Sequence, residues 1–181
     1  MLKGIGNWTP ANRRFLAIGL ALTIGAQMLV LAGEYLGSVW PLWFGRPVIL
    51  ETTPIDPRRP FRGNYVRLNY HISWLDDNLT DETFRRSEVA YVTLEEVDGA
   101  HVATGLSHKK PASGTFIRGR IESDIAGYRI RYGIEAYFMP KEKALSAEES
   151  LREGGASAEI YLLGNGKAAI AGLDWEPEEE D

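Results

Sequence analysis

Cysteine is absent from all 181 residues. Disulfide staples, thiolate nucleophiles and cysteine-ligated metals are therefore excluded, and the chain suits an oxidising compartment without requiring one. Histidine is scarce: His71, His101 and His108 are the only three. None has a second ligand at short helical or C-x-x-C-like spacing, so no metal site is expected. No Gly-rich phosphate loop followed by Lys-Ser is found, nor a G-x-S-x-G nucleophile elbow, and no cofactor is expected. Positive charge is also in deficit, with 20 Lys and Arg against 25 Asp and Glu. Such a balance argues against non-specific nucleic-acid binding.

What is present begins with a long apolar run. A 44% hydrophobic, 25% charged composition is that of a globular chain. The apolar share is uneven, however, because Phe15 to Gly33 carries no charge and only Thr23 and Gln27 as clearly polar side chains. As a helix this stretch reaches roughly 28 Å, close to one bilayer core. A cleaved signal peptide is the competing reading, but its apolar core usually spans only about 7 to 15 residues, so an uncleaved anchor is expected. Lys3, Arg13 and Arg14 precede the run and the acids begin at Glu34. The positive-inside rule then leaves the N-terminus in the cytoplasm and everything after the span outside, in the periplasm if the membrane is a bacterial inner membrane. Removing those three basic residues from the 20 leaves 17 against 25 acids, a net charge of about -8 for the outer part. Trp40, Trp43 and Phe44 suit either an outer aromatic belt or anchors in a domain core.

The outer part reads as strands punctuated by turns. "RPVILETT" (46–53) is a short β-rich run ended by Pro54. In "YVRLNYHI" (65–72) Val66, Leu68, Tyr70 and Ile72 share one face while Tyr65, Arg67, Asn69 and His71 share the other. "WLDDNLTDETFRR" reads as a loop or one short helix, and Asp98-Gly99 as a hairpin turn between two strands. "GTFIRGRI" and the long alternating "YRIRYGIEAYFM" add strands up to Pro140. A helix is expected in "SAEESLREGG", with Ser146 and Glu149 as a capping box and Gly154 or Gly155 as its stop. A last hairpin turns at "GNG" (164–166). The expected fold is mainly β: a transmembrane helix, then an antiparallel meander, barrel or small sandwich, with one short helix. The expected divisions are a cytoplasmic segment 1–14, a span 15–36, an outward β domain 37–175 and an acidic tail 176–181.

The stretch "PFRGNYVRLNY" (60–70) follows "PIDPRR", whose prolines bar it from a central strand. Gly63 and Asn64 then suit a tight turn into the strand. Gly63, Asn64, Tyr65, Leu68 and Tyr70 resemble the pattern of the GDYXXLXY family: Gly, Asp, Tyr, two free positions, Leu, one free position, Tyr. The resemblance extends to "PIDPRRPFRG" before the motif and to "YGIEAYFMP" (132–140) after it. It implies a single-span, outward-facing β domain with no assigned activity, often encoded beside a polytopic membrane protein. Asn64 departs from the pattern. Asparagine keeps the shape and side-chain oxygen of aspartate but lacks its charge and proton chemistry, which favours a turn-capping role over a catalytic one.

Other constellations have a sharp and a bland reading. Arg58, Arg59, Arg62 and Arg67 face Asp56 alone and could grip an anionic headgroup, polymer or partner; otherwise they are a solvated loop in weak surface pairs. In the span, Ala17, Ala21 and Gly25 form one small-residue stripe, and Gly19, Thr23 and Gln27 a second, nearly opposite. One stripe would suit a dimer, two insertion between neighbours, while small residues are common in any span. A signal-peptidase-like serine and lysine hydrolase shares the anchored architecture, but between Tyr35 and Tyr70 the only serine is Ser38, and no lysine is near. Glu51, Asp56 and Glu135 are candidate carboxylates for hydrolytic chemistry. The leading expectation is a non-catalytic, membrane-anchored accessory or assembly protein that touches the bilayer and a polytopic partner, with homo-oligomerisation left open. An anchored hydrolase, or a module binding an anionic envelope ligand, are the alternatives.

Overall fold

In the computed structural model the described residues are 10–53, 65–140, 143, 147, 151 and 156–174. The chain divides into two compact units, residues 1–39 and 40–181. Helix α1 (Pro10–Phe44) is 35 residues long, about 52 Å at the usual rise. Proline at its first position loses no hydrogen bond, because the first amides of a helix have no partner within it. Its run from Phe15 to Gly33 carries no charge on any side, and none of its apolar window is buried within the protein. Leu22 and Leu29, for example, are 70% and 75% exposed. A helix that is hydrophobic all round and uncovered by its own protein is suited to lipid rather than water. It continues beyond the expected span through Trp40, Trp43 and Phe44, all of which remain exposed. They are therefore not anchors of the domain core. The buried residue at this end is Pro41, whose carbonyl accepts the Gly45 amide at 2.8 Å. A side chain at Gly45 would collide with that carbonyl and with Tyr161.

The second unit is mainly β, and among the described residues every strand pairing in it is antiparallel. Strand β1 (Arg46–Glu51) pairs with β9 (Ser157–Leu162), which pairs in turn with β10 (Ala168–Asp174). β2 (Tyr65–Arg67) and β8 (Ala136–Phe138) form a two-stranded ribbon. The largest sheet runs β3 (Trp74–Leu75), β7 (Tyr128–Arg131), β6 (Thr115–Ser123), β4 (Val89–Val97), β5 (Ala100–Ser107). β1 lies next to β5 without a ladder between them. Among the described residues the sheets stay open, so no closed barrel forms. One continuous core, including Leu50, Val66, Leu68, Val92, Ile117 and Ile160, joins all three sheets.

The expected hairpins are present. Asp98 and Gly99 take φ of 52° and 85° between β4 and β5, the left-handed pair that a two-residue hairpin needs. In the β9–β10 turn Gly166 has φ of 80°, and its carbonyl accepts the Arg118 amide of β6 at 2.8 Å. A Cβ there would lie 2.9 Å from the Arg118 nitrogen, so both conformation and space call for glycine.

Three expectations need correcting. "YRIRYGIEAYFM" is not one strand: it breaks into β7 and β8 around Gly133, whose φ is 86°. "YVRLNYHI" forms a ladder only over Tyr65–Arg67, then bridges at Tyr70 and enters a 3-10 turn at His71–Ser73. Its alternation survives even so, with Val66, Leu68, Tyr70 and Ile72 all buried. Finally, Lys143 is already helical, three residues before the expected N-cap Ser146, and Ala147 and Leu151 are helical with side chains in the core. Ser146, Glu149, Gly154, Gly155 and the acidic tail lie outside the described residues.

Candidate functional site: the motif clasp

The second half of the motif folds against the turn that separates β7 from β8. Leu68 is fully buried, and its amide donates to the Glu135 carbonyl at 2.9 Å. Tyr70 Oη donates to the Ile134 carbonyl at 2.6 Å, while Tyr132 Oη donates to the Ile72 carbonyl at 2.5 Å. Each phenol thus crosses to the segment that carries the other. We call this reciprocal arrangement the motif clasp. A buried hydrogen bond of this kind contributes about 1 kcal/mol net, and an orphaned buried carbonyl costs roughly 1 to 3 kcal/mol.

The clasp is fixed from both sides. Tyr70 bridges Thr52, the Thr53 amide donates to the Asn69 carbonyl at 2.8 Å, and Thr52 Oγ1 donates to the Ala156 carbonyl at 2.7 Å. The Ala156 amide returns a bond to Thr52 Oγ1 at 2.8 Å. On the turn, Glu135 is half-buried and its carboxylate accepts the amides of Tyr132 and Gly133. It thereby holds the glycine in its left-handed conformation and ends the alternating run. Burial, and secondarily the Glu135 charge, push both phenols well above their ordinary pKa. Tyr70 and Tyr132 therefore stay protonated donors throughout the physiological range. The clasp is built to hold backbone together, and its hydroxyl protons are already committed to carbonyls.

The remaining sequence candidates are distributed as follows. Tyr65 is half-buried and sets its ring 5.8 Å from that of its ladder partner Phe138, which is 75% exposed. Arg67 is exposed at the end of β2. Gly63, Asn64, Arg58, Arg59, Arg62 and Asp56 lie outside the described residues. Glu51 stands 3.9 Å from His71 on the surface, and Glu135 is turned onto its own loop, so these two carboxylates have separate partners. Ser38 Oγ donates to the Tyr35 carbonyl of its own helix at 2.7 Å. Along α1, Ala17, Ala21, Gly25, Gly19, Thr23 and Gln27 are all exposed. The Thr23 hydroxyl donates to the Gly19 carbonyl at 2.9 Å, whereas the Gln27 side chain has no partner among the described residues.

Sequence reasoning named Tyr70 but missed Tyr132 and the role of Glu135. The available signal was a lone glycine inside an alternating run, which marks a bulge or break more often than a continuous strand.

No curated protein and no solved structure matches the chain. A family model described as GDYXXLXY protein matches residues 27–173, which include the motif strand, the Tyr132–Glu135 turn and the last hairpin. On that match, which covers most of the sequence, the chain belongs to the GDYXXLXY family.

Proposed function

We propose that this protein is a non-catalytic accessory or assembly subunit, anchored by α1 in a bacterial inner membrane with its N-terminus in the cytoplasm and its β domain in the periplasm. Its partner is a polytopic membrane protein whose helices receive the span. The observation that carries this reading is Gln27: an amide within the uncharged, mostly apolar run Phe15 to Gly33, without a side-chain partner among the described residues, flanked by Thr23 and Gly19 one and two turns earlier. In a bilayer such a group is stabilised by hydrogen bonding to another helix, and small residues let that helix approach. The charge asymmetry around the span supports the orientation. The motif clasp supports a structural rather than catalytic motif, since its hydroxyls bond to backbone carbonyls.

The test is recovery of the full chain from membranes in mild detergent, with partner stoichiometry read by mass spectrometry. A polytopic protein at fixed ratio is expected, and Gln27→Leu should reduce its recovery several-fold, in line with about 1 kcal/mol for one intramembrane hydrogen bond. A chain that elutes alone, or only as a homodimer, would overturn the reading.

A further inference from the structure

The five-stranded sheet buries one face, with Ala90, Val92, Ile117, Ile121 and Ile130 in the core. The opposite face of β6 and β7 carries arginine. Arg120 stands directly across from Arg131 in the ladder, an arrangement that is repulsive when nothing lies between the charges. Next to them is the turn that leads into β4, where Arg86 and Ser87 project. Ser87 adopts φ of 73°, unusual for a residue other than glycine. The turn is fixed by the Ser87 amide donating to the Ile121 carbonyl at 2.8 Å and the Ile121 amide donating to the Glu88 carbonyl at 2.9 Å. Arg120 Nη1 donates to the Ser87 carbonyl at 2.6 Å.

Together Arg86, Ser87, Arg120, Ile121, Glu122 and Arg131 line an open groove of about 170 Å³. Three guanidinium groups face one carboxylate there. That carboxylate is shared: Glu122 sits 3.0 Å from Arg129 and 3.7 Å from Arg131. Arg86 has neither an ion pair nor a hydrogen bond among the described residues. The groove is a local excess of positive charge on a chain whose formal net charge is -5.

From this geometry we propose that the groove binds a phosphate-bearing anion. Guanidinium forks supply paired N–H donors matched to phosphate oxygens. Donors from two facing strands and a turn suit a tetrahedral oxyanion better than a planar carboxylate, which one fork satisfies. An anion between Arg120 and Arg131 replaces their repulsion with charge-assisted hydrogen bonds, and the Ser87 hydroxyl adds a neutral donor. The groove is smaller than the roughly 300 to 1,000 Å³ of a drug-sized pocket, so it takes one phosphate group and leaves the rest of the ligand outside. This site is independent of the assembly role proposed above and of the Arg58 to Arg62 loop.

Phosphate can come from a soluble ion or from a lipid headgroup, and the experiment separates them. The full chain in a neutral maltoside detergent is titrated calorimetrically with inorganic phosphate, pyrophosphate and short-chain phosphatidic acid below its micelle concentration. Saturable binding is expected, weakened roughly tenfold by Arg86→Gln and by Arg131→Gln, as for loss of one hydrogen bond to a charged group. Arg118→Gln, on the same exposed face of β6 but outside the groove, should stay within about twofold by the same arithmetic. Binding of inorganic phosphate or pyrophosphate supports a soluble ligand, and binding of phosphatidic acid alone supports a headgroup. Absence of binding to all three overturns the proposal, as does binding indifferent to Arg86 and Arg131 or equally sensitive to Arg118. Because Arg86 has no partner among the described residues, its substitution should not shift the melting transition.

Discussion

The helix and the β domain use the same apolar residue types in opposite ways. Along α1, Leu20, Leu22, Ile24 and Leu29 point outward at 50% exposure or more, whereas Leu50, Leu68, Ile117 and Ile160 of the domain are fully enclosed. The residues do not differ; the spacing does. An unbroken apolar run cannot hide every side of a lone helix, so it is stable only where the surroundings are apolar. An alternating run puts its apolar side chains on one face, and a second sheet covers that face even in water.

The comparison is broken most severely by charging the helix and hollowing the core in parallel. Ile24→Asp places a carboxylate in mid-span, at about 2.5 to 3.5 kcal/mol on insertion scales. It should move the chain from the membrane to the soluble fraction while leaving domain melting unchanged. Leu68→Ala should do the reverse, removing about 2 to 5 kcal/mol from domain unfolding with membrane retention intact. If either change affected both readouts equally, the two units would not be energetically separate.

A smaller effect isolates the clasp from general burial. Tyr70→Phe keeps the buried ring and leaves the Ile134 carbonyl without its phenol donor, so unfolding should become easier by roughly 1 to 3 kcal/mol. The pH dependence has a definite sign. The folded chain holds both phenol protons above their ordinary pKa, while the unfolded chain releases them near pH 10. Their stabilisation is complete below about pH 10 and falls as pH rises further, by up to about 1.4 kcal/mol per pH unit for each tyrosine. Tyr70→Phe should therefore halve the part of the alkaline slope that these two groups supply, as measured by urea unfolding between pH 10 and 11.

The smallest effect separates two left-handed glycines. Gly166→Ala meets Arg118, whereas Gly99→Ala meets open space. Gly99→Ala should lower stability by about 1 kcal/mol from strain alone, and Gly166→Ala by more. Equal melting shifts would mean that the contact between the last hairpin and β6 contributes little.

Much of this was legible locally. The burial of Val66, Leu68, Tyr70 and Ile72 follows from period-two alternation, which survived even where the ladder did not. Asp98-Gly99 and the "GNG" turn announced two hairpins through residues that accept positive φ. The break at Gly133 was less visible, because it depends on a carboxylate two residues later folding back onto the Tyr132 and Gly133 amides. The arginine groove was not visible at all. Arg86, Arg120 and Arg131 are separated by up to 45 positions, with no spacing rule to connect them.

By itself, then, the sequence determined the apolar helix, the mainly β character, the faces of the longer strands and the family, since each rests on neighbouring residues and on spacing of two or 3.6 positions. Only the tertiary structure decided that Tyr70 and Tyr132 clasp each other's segments, that the sheets of the described residues remain open, and that three distant arginines share one groove. Those outcomes depend on which strands become neighbours, and strand pairing is set by the packing of the whole core.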